Sequence, residues 1–124
     1  MPEQKDLPIQ PVEKAIICNA YIEPDQHWAY DDKTGEARRI HARRKAGYWF
    51  KEQRTSAGQL ELLAEEHWDE LTLVNRLRDD VRRWREADYR GGSTATKELL
   101  RHWAHEDRAK RLFFCQCEAV ETII

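Results

Sequence analysis

The chain has 124 residues, enough for one domain with a modest hydrophobic core. Charged residues make up 35% of it, but the net charge of −2 excludes a protein that is basic overall, so any nucleic-acid surface must be local. The five tryptophans argue against a disordered chain. Because the sequence has no signal peptide, no long apolar run and only three cysteines, we expect a cytoplasmic protein with reduced thiols.

The first half of the chain reads as a leader followed by short strands. Residues 1–14, rich in proline, predict a flexible leader, and residues 15–124 a single module. Strand formers fill residues 16–22. Trp28 and Tyr30 alternate on one arm of a predicted hairpin, whose turn is residues 31–35 and whose second arm is 36–41. A further short strand is predicted at 48–50.

The second half carries helical patterns. Apolar residues spaced three and four apart predict a helix over about 69–87. Gly91 and Gly92 end it, and Thr94 is predicted to cap a second helix, which buries Leu99, Leu100 and Trp103. A break near residues 105–107 leads into a last helix at 111–124. Residues 55–58 look like a loop, and 60–63 fit either a strand or a helix.

These elements predict an α+β fold. A small antiparallel sheet from residues 16–50 is expected to pack against two or three helices from residues 69–124.

Gln116 is the polar residue that most needs an explanation. On a helix over 111–124 it falls within the apolar face formed by Leu112, Ala119 and Ile123. A buried amide must find hydrogen-bond partners, so one interpretation is a core glutamine satisfied by neighbouring backbone. The other is that the amide, which donates and accepts at once, faces a ligand such as adenine.

The residues around Gln116 resemble a known family. They are similar to the segment before the nucleotide-binding loop in the ATPase subunits of type III restriction enzymes and their DEAD/DEAH-box helicase relatives, where an aromatic-x-Gln pattern belongs to the Q motif. Other parts of the chain follow in the family's order: NAYIEPDQHW (19–28), RRKAGYW (43–49), LVNRLR (73–78), LLRHW (99–103) and RLFFCQCEAVETII (111–124). Cys115 and Cys117 stand where larger apolar residues are expected.

The resemblance implies a role for the chain within a larger enzyme. It would be the amino-terminal accessory module of a helicase-like subunit, with Gln116 recognising adenine and Phe113 or Phe114 stacking on it. ATP and Mg²⁺ would be ligands of the parent enzyme, and its partners would be DNA, the helicase core and a modification methyltransferase subunit. We expect the chain to be cut before the phosphate loop, because its last helix ends on the bare apolar side chains of Ile123 and Ile124. None of the five glycines is followed by lysine, so the sequence contains no phosphate loop. Alone it should not hydrolyse ATP.

A basic segment provides the alternative function. Five fixed positive charges lie within eight residues: Arg38, Arg39, Arg43, Arg44 and Lys45. With Tyr48 and Trp49 beside them, they predict a surface that follows the phosphate backbone of DNA. The chain would then be a stand-alone DNA-binding module. The opposing interpretation is a solvated loop balanced by acidic residues, and on a hairpin Arg38 and Arg39 would point to opposite faces. A purely structural interaction domain is the third possibility.

Catalytic and metal-binding patterns are weak. His102 and His105 are three residues apart, a spacing that can chelate zinc, but no third ligand is evident. The sequence contains no nucleophile motif and no nuclease cluster of carboxylates with lysine. We therefore predict no catalytic residue and no metal site.

Overall fold

The structure of this chain, a computed structural model, describes residues 10–31, 33–51 and 66–124. Strands precede helices along this part of the chain, in the order β1 (His27–Tyr30), β2 (Ala37–Ile40), β3 (Gly47–Lys51), β4 (Glu66–Glu70), α1 (Thr72–Glu86), α2 (Thr94–Ala104) and α3 (Phe114–Ile123). The predicted α+β class is confirmed. The strands form two antiparallel two-stranded sheets, β1–β2 and β3–β4.

The chain divides into two compact units. The first comprises Met1–Arg44 and Trp103–Cys117, and the second Lys45–His102 and Glu118–Ile124.

The first unit contains the predicted hairpin. Trp28 pairs with Arg39 in the β1–β2 register. The Asp31 carboxylate closes the turn by accepting the backbone N–H groups of Lys33 and Thr34 at 2.9 and 3.0 Å. These bonds stabilise the charged form, so they hold the pKa of Asp31 below its ordinary value.

The prediction of a strand over residues 16–22 is wrong. The segment is irregular because side chains take up backbone groups that a strand would pair. Asn19 Oδ1 accepts the N–H of Tyr21 at 2.9 Å, which is an Asx turn, and Gln26 Nε2 donates to the carbonyl oxygen of Ile17 at 2.9 Å. Ile16 is 79% exposed.

The second unit contains β3 and β4. The strand predicted at 48–50 is confirmed as β3, and its partner β4 is an element that the sequence did not reveal. Trp49 and Trp68 face each other across the pair with ring centroids 5.5 Å apart. The Trp68 indole lies over Gly47, where an added Cβ would sit 2.2 Å from Cζ2. Glycine at position 47 therefore makes room for the tryptophan pair.

Helix α1 begins at Thr72, three residues later than predicted, because β4 takes up the residues before it. The loop predicted at residues 55–58 and the strand or helix predicted at 60–63 lie outside the described residues.

Three apolar side chains are buried among the described residues of the second unit: Val81, Tyr89 and Leu100. Leu99, predicted to be buried, is 48% exposed, and Trp103 (a residue of the first unit) is half-buried.

Ser93 caps α2, not Thr94 as predicted. Its Oγ accepts the N–H of Thr96 at 3.1 Å, which makes Thr94 the first helical residue. The loop before it holds Asp88 and Tyr89 at φ values of 52° and 55°, and Arg101 donates to the Asp88 carboxylate.

A buried ion pair joins α1 to the last turns of α3. Arg85 Nε and Nη2 donate to the two carboxylate oxygens of Glu121 at 2.8 and 2.9 Å. The Glu121 side chain is 2% exposed and that of Arg85 24% exposed. This two-point pairing fixes the position of residues 118–124 in the second unit.

Candidate adenine-binding site

The candidate site is at the start of α3, in the first unit. Phe113 is the capping residue of the helix, since its carbonyl oxygen accepts the first helical hydrogen bond, from the N–H of Cys117 at 3.1 Å. Gln116 then occupies the third helical position. Its Oε1 accepts the backbone N–H of Phe113 at 2.9 Å, which is one half of a capping box.

Gln116 is exposed, so the interpretation of a core glutamine on the apolar face is wrong. The helix starts at Phe114 rather than at residue 111, which places Gln116 in the first turn. The bond to Phe113 nevertheless gives the amide a defined orientation: Oε1 faces the Phe113 N–H, and Nε2 faces the other way. Because an amide oxygen has two lone pairs, Oε1 retains capacity for a second donor.

The two phenylalanines have different surroundings. Phe113 is 46% exposed, and its ring packs against Tyr21 with centroids 5.4 Å apart at an angle of 31°. Phe114 is half-buried, and the guanidinium of Arg43 lies 5.4 Å from its ring centroid. Phe113 therefore presents an open aromatic surface beside Gln116, while Phe114 contributes to packing.

Tyr21 is a site residue that the sequence reasoning missed. The backbone N–H of Phe114 donates to the carbonyl oxygen of Ala20 at 2.9 Å, and this bond brings Tyr21 beside Phe113. Tyr21 is 39% exposed, and the Arg111 guanidinium lies 4.6 Å from its ring centroid. The resulting surface of Arg111, Tyr21, Phe113 and Gln116 is referred to below as the α3 entry surface.

The structure disperses the predicted basic segment. Arg38 and Arg39 are adjacent on β2, so their side chains leave opposite faces of the strand, with Arg38 4.0 Å from Asp31. Arg43 pairs with Glu23 at 3.2 Å, and Arg44 donates to the carbonyl oxygen of Trp28.

Lys45 belongs to the second unit, where it pairs with Glu70 at 3.3 Å. Most of the five charges are thus committed to contacts within their own units.

Other reactive groups are scattered over the described ranges. The three cysteines are free thiols. Within these ranges no three His, Cys, Asp or Glu side chains converge as a metal site would require. His105 Nδ1 accepts the backbone N–H of Asp107 at 3.2 Å. None of the described helices combines the length and apolar character needed to cross a bilayer.

No protein-family model, curated protein or solved structure matches this chain.

Proposed function

We propose that this chain is the amino-terminal accessory module of a helicase-like subunit similar to those of type III restriction enzymes, and that Gln116 recognises the adenine of ATP. The parent subunit would supply the helicase core and Mg²⁺, and would act on DNA with a methyltransferase partner. The observation that carries the proposal is the Gln116 amide, which is exposed and oriented by its bond to the Phe113 N–H.

The oriented amide is complementary to adenine. Adenine presents a donor, its N6 amino group, next to an acceptor nitrogen, and a glutamine amide pairs with both. Guanine presents two acceptors, O6 and N7, on the corresponding edge, so the same amide satisfies only one of them. The exposed ring of Phe113 lies next to Gln116 and offers a stacking surface for the base.

Capping and recognition make separate demands on Gln116. A glutamate at position 116 would still accept the Phe113 N–H, because glutamate serves this position of a capping box as well as glutamine does. It would lack the Nε2 donor. Gln116→Glu therefore removes adenine recognition while keeping the cap, whereas Gln116→Ala removes both.

The test is to titrate the full chain with ATP and, separately, with GTP. Each titration yields a Kd and monitors the ¹⁵N NMR signal of the Gln116 side-chain amide. We expect ATP to shift this signal and to bind more tightly than GTP. Gln116→Glu should abolish the preference for ATP without lowering Tm. If that variant still prefers ATP, or if ATP leaves the amide signal unmoved, Gln116 is only a helix cap and the proposal fails.

DNA binding through residues 38–45 receives less support. Arg38, Arg43 and Lys45 have carboxylate partners, and Arg38 and Arg39 lie on opposite faces of β2, so the five charges do not form one continuous track.

A further inference from the structure

The loop between α2 and α3, residues 105–113, carries three cations, together with two exposed carboxylates of its own, Glu106 and Asp107. For Arg108, Lys110 and Arg111 no ion pair exists with any described residue. Elsewhere in the described chain arginines commonly have such partners, as Arg43 has Glu23. The loop's own Asp107 lies 3.8 Å from His105.

Arg108 has an unmet hydrogen-bonding requirement. Its Nη1 is buried from solvent and has no hydrogen-bond partner among the described residues. Buried polar nitrogens in folded proteins almost always have an acceptor, and a charged one is costly to leave without it. An anion held by this loop would supply that acceptor.

Arg111 places one of these charges beside the candidate adenine site. Its guanidinium lies over the ring of Tyr21, which in turn packs against Phe113. The cation is therefore separated from the proposed stacking ring by a single aromatic side chain. A base on Phe113 and an anion at Arg111 would be neighbours on the α3 entry surface.

We propose that the α2–α3 loop, through Arg108, Lys110 and Arg111, adds contacts to the phosphate groups of the nucleotide whose adenine contacts Gln116, alongside the phosphate loop expected in the parent enzyme. The inference rests on the proposed function and extends it from the base to the phosphates. Phosphate oxygens accept several charge-assisted hydrogen bonds at once, and the planar guanidinium is well matched to them. Three cations in one loop, none of them in an ion pair with a described residue, suit a ligand with more than one negative charge.

The experiment compares three probes at low salt on the full chain: ATP, adenosine and inorganic tripolyphosphate. Lys110→Gln removes a charge from an exposed side chain and should leave the fold intact. Arg111→Gln removes the charge that lies next to Tyr21. Arg76→Gln, at an exposed site on α1 in the second unit, is the matched control for net charge.

We expect Arg111→Gln to weaken ATP binding about tenfold, which corresponds to ~1.4 kcal/mol, and Lys110→Gln to weaken it about threefold. Adenosine binding should be unchanged in the Lys110 variant, and Arg76→Gln should affect none of the probes. Raising the salt concentration should weaken the binding of ATP and tripolyphosphate but not that of adenosine.

The outcomes separate this inference from the proposed function. If ATP binds with a preference over GTP but neither loop variant weakens it, the phosphate inference is overturned and the role of Gln116 stands. If ATP, GTP and tripolyphosphate bind alike and both loop variants weaken all three, the loop binds phosphate and the adenine proposal falls. If neither ATP nor tripolyphosphate binds, both are overturned.

Discussion

Removing the Glu121 carboxylate should strongly destabilise the second unit. Glu121→Ala deletes both acceptors of the Arg85 Nε and Nη2 donors, in a pair whose carboxylate side is 2% exposed. Breaking a buried ion pair from one side typically costs about 3–5 kcal/mol, because the remaining charge stays poorly solvated. The Arg85 side chain is 24% exposed, so water replaces part of what is lost and the lower end applies. We expect ~3 kcal/mol, a large fraction of the roughly 5–15 kcal/mol that stabilises a typical domain.

Urea unfolding followed by tryptophan fluorescence measures this effect. With a slope of about 1–3 kcal/mol per molar urea, the midpoint should fall by roughly 1–3 M. Arg101→Ala is the control, because its pair with Asp88 is exposed on both sides and should contribute much less to stability than the buried pair does. Combining Glu121→Leu with Arg85→Met should recover most of the loss, since apolar residues remove the charge that has lost its Glu121 carboxylate.

Two results would refute this reasoning. One is a Glu121→Ala midpoint equal to that of Arg101→Ala, which would mean that burial does not strengthen the pair. The other is a double variant no more stable than Glu121→Ala, which would mean that the loss of stability comes from packing rather than from the broken Arg85–Glu121 pair.

Three further predictions concern the second unit. Ser93→Ala should lower the free energy of unfolding by ~1 kcal/mol in urea titrations, because α2 loses its cap, whereas Thr94→Ala, which leaves the cap in place, should not. Gly47→Ala should displace the Trp68 indole, which near-UV circular dichroism detects as loss of the aromatic signal; an unchanged spectrum would contradict the close approach. The Arg101 hydrogen bond lowers the pKa of Asp88, so the pair adds stability above the ordinary aspartate pKa and loses it as the pH falls through the lowered value. Asp88→Asn should therefore reduce the stability that is lost below about pH 4, as measured by urea titrations at successive pH values. The same loss of stability in the variant and in the original chain would contradict this.

The elements that the sequence predicted well are those with local signals. The β1–β2 hairpin has alternating aromatics before a turn that Asp31 closes through its own neighbours. Helix α1 shows apolar residues at regular helical spacing. By contrast, β4 is an acidic segment, Glu66–Glu70, whose extended form depends on pairing with β3, and pairing with a distant partner leaves no local pattern.

In the candidate site too, the sequence revealed residues with a local pattern but not those placed by distant contacts. The aromatic-x-Gln pattern drew attention to Gln116, but the interpretation of a core glutamine assumed a helix that starts three residues too early. In the first turn a glutamine caps the helix instead of entering the core. Tyr21 could not be found from the sequence, since it reaches Phe113 through a backbone bond between Ala20 and Phe114, which are far apart in the chain.

The Arg85–Glu121 pair also sets an order of events during synthesis. The two residues are 36 positions apart, so a ribosome that adds about 5–20 residues per second makes the carboxylate roughly two to seven seconds after the guanidinium. During that interval α1 can form its own hydrogen bonds, but Arg85 lacks the partner that it has in the folded chain. The second unit is therefore completed by its most distant segment in sequence, and a pause in translation between residues 85 and 121 would prolong the time that a nascent chain spends without its buried ion pair.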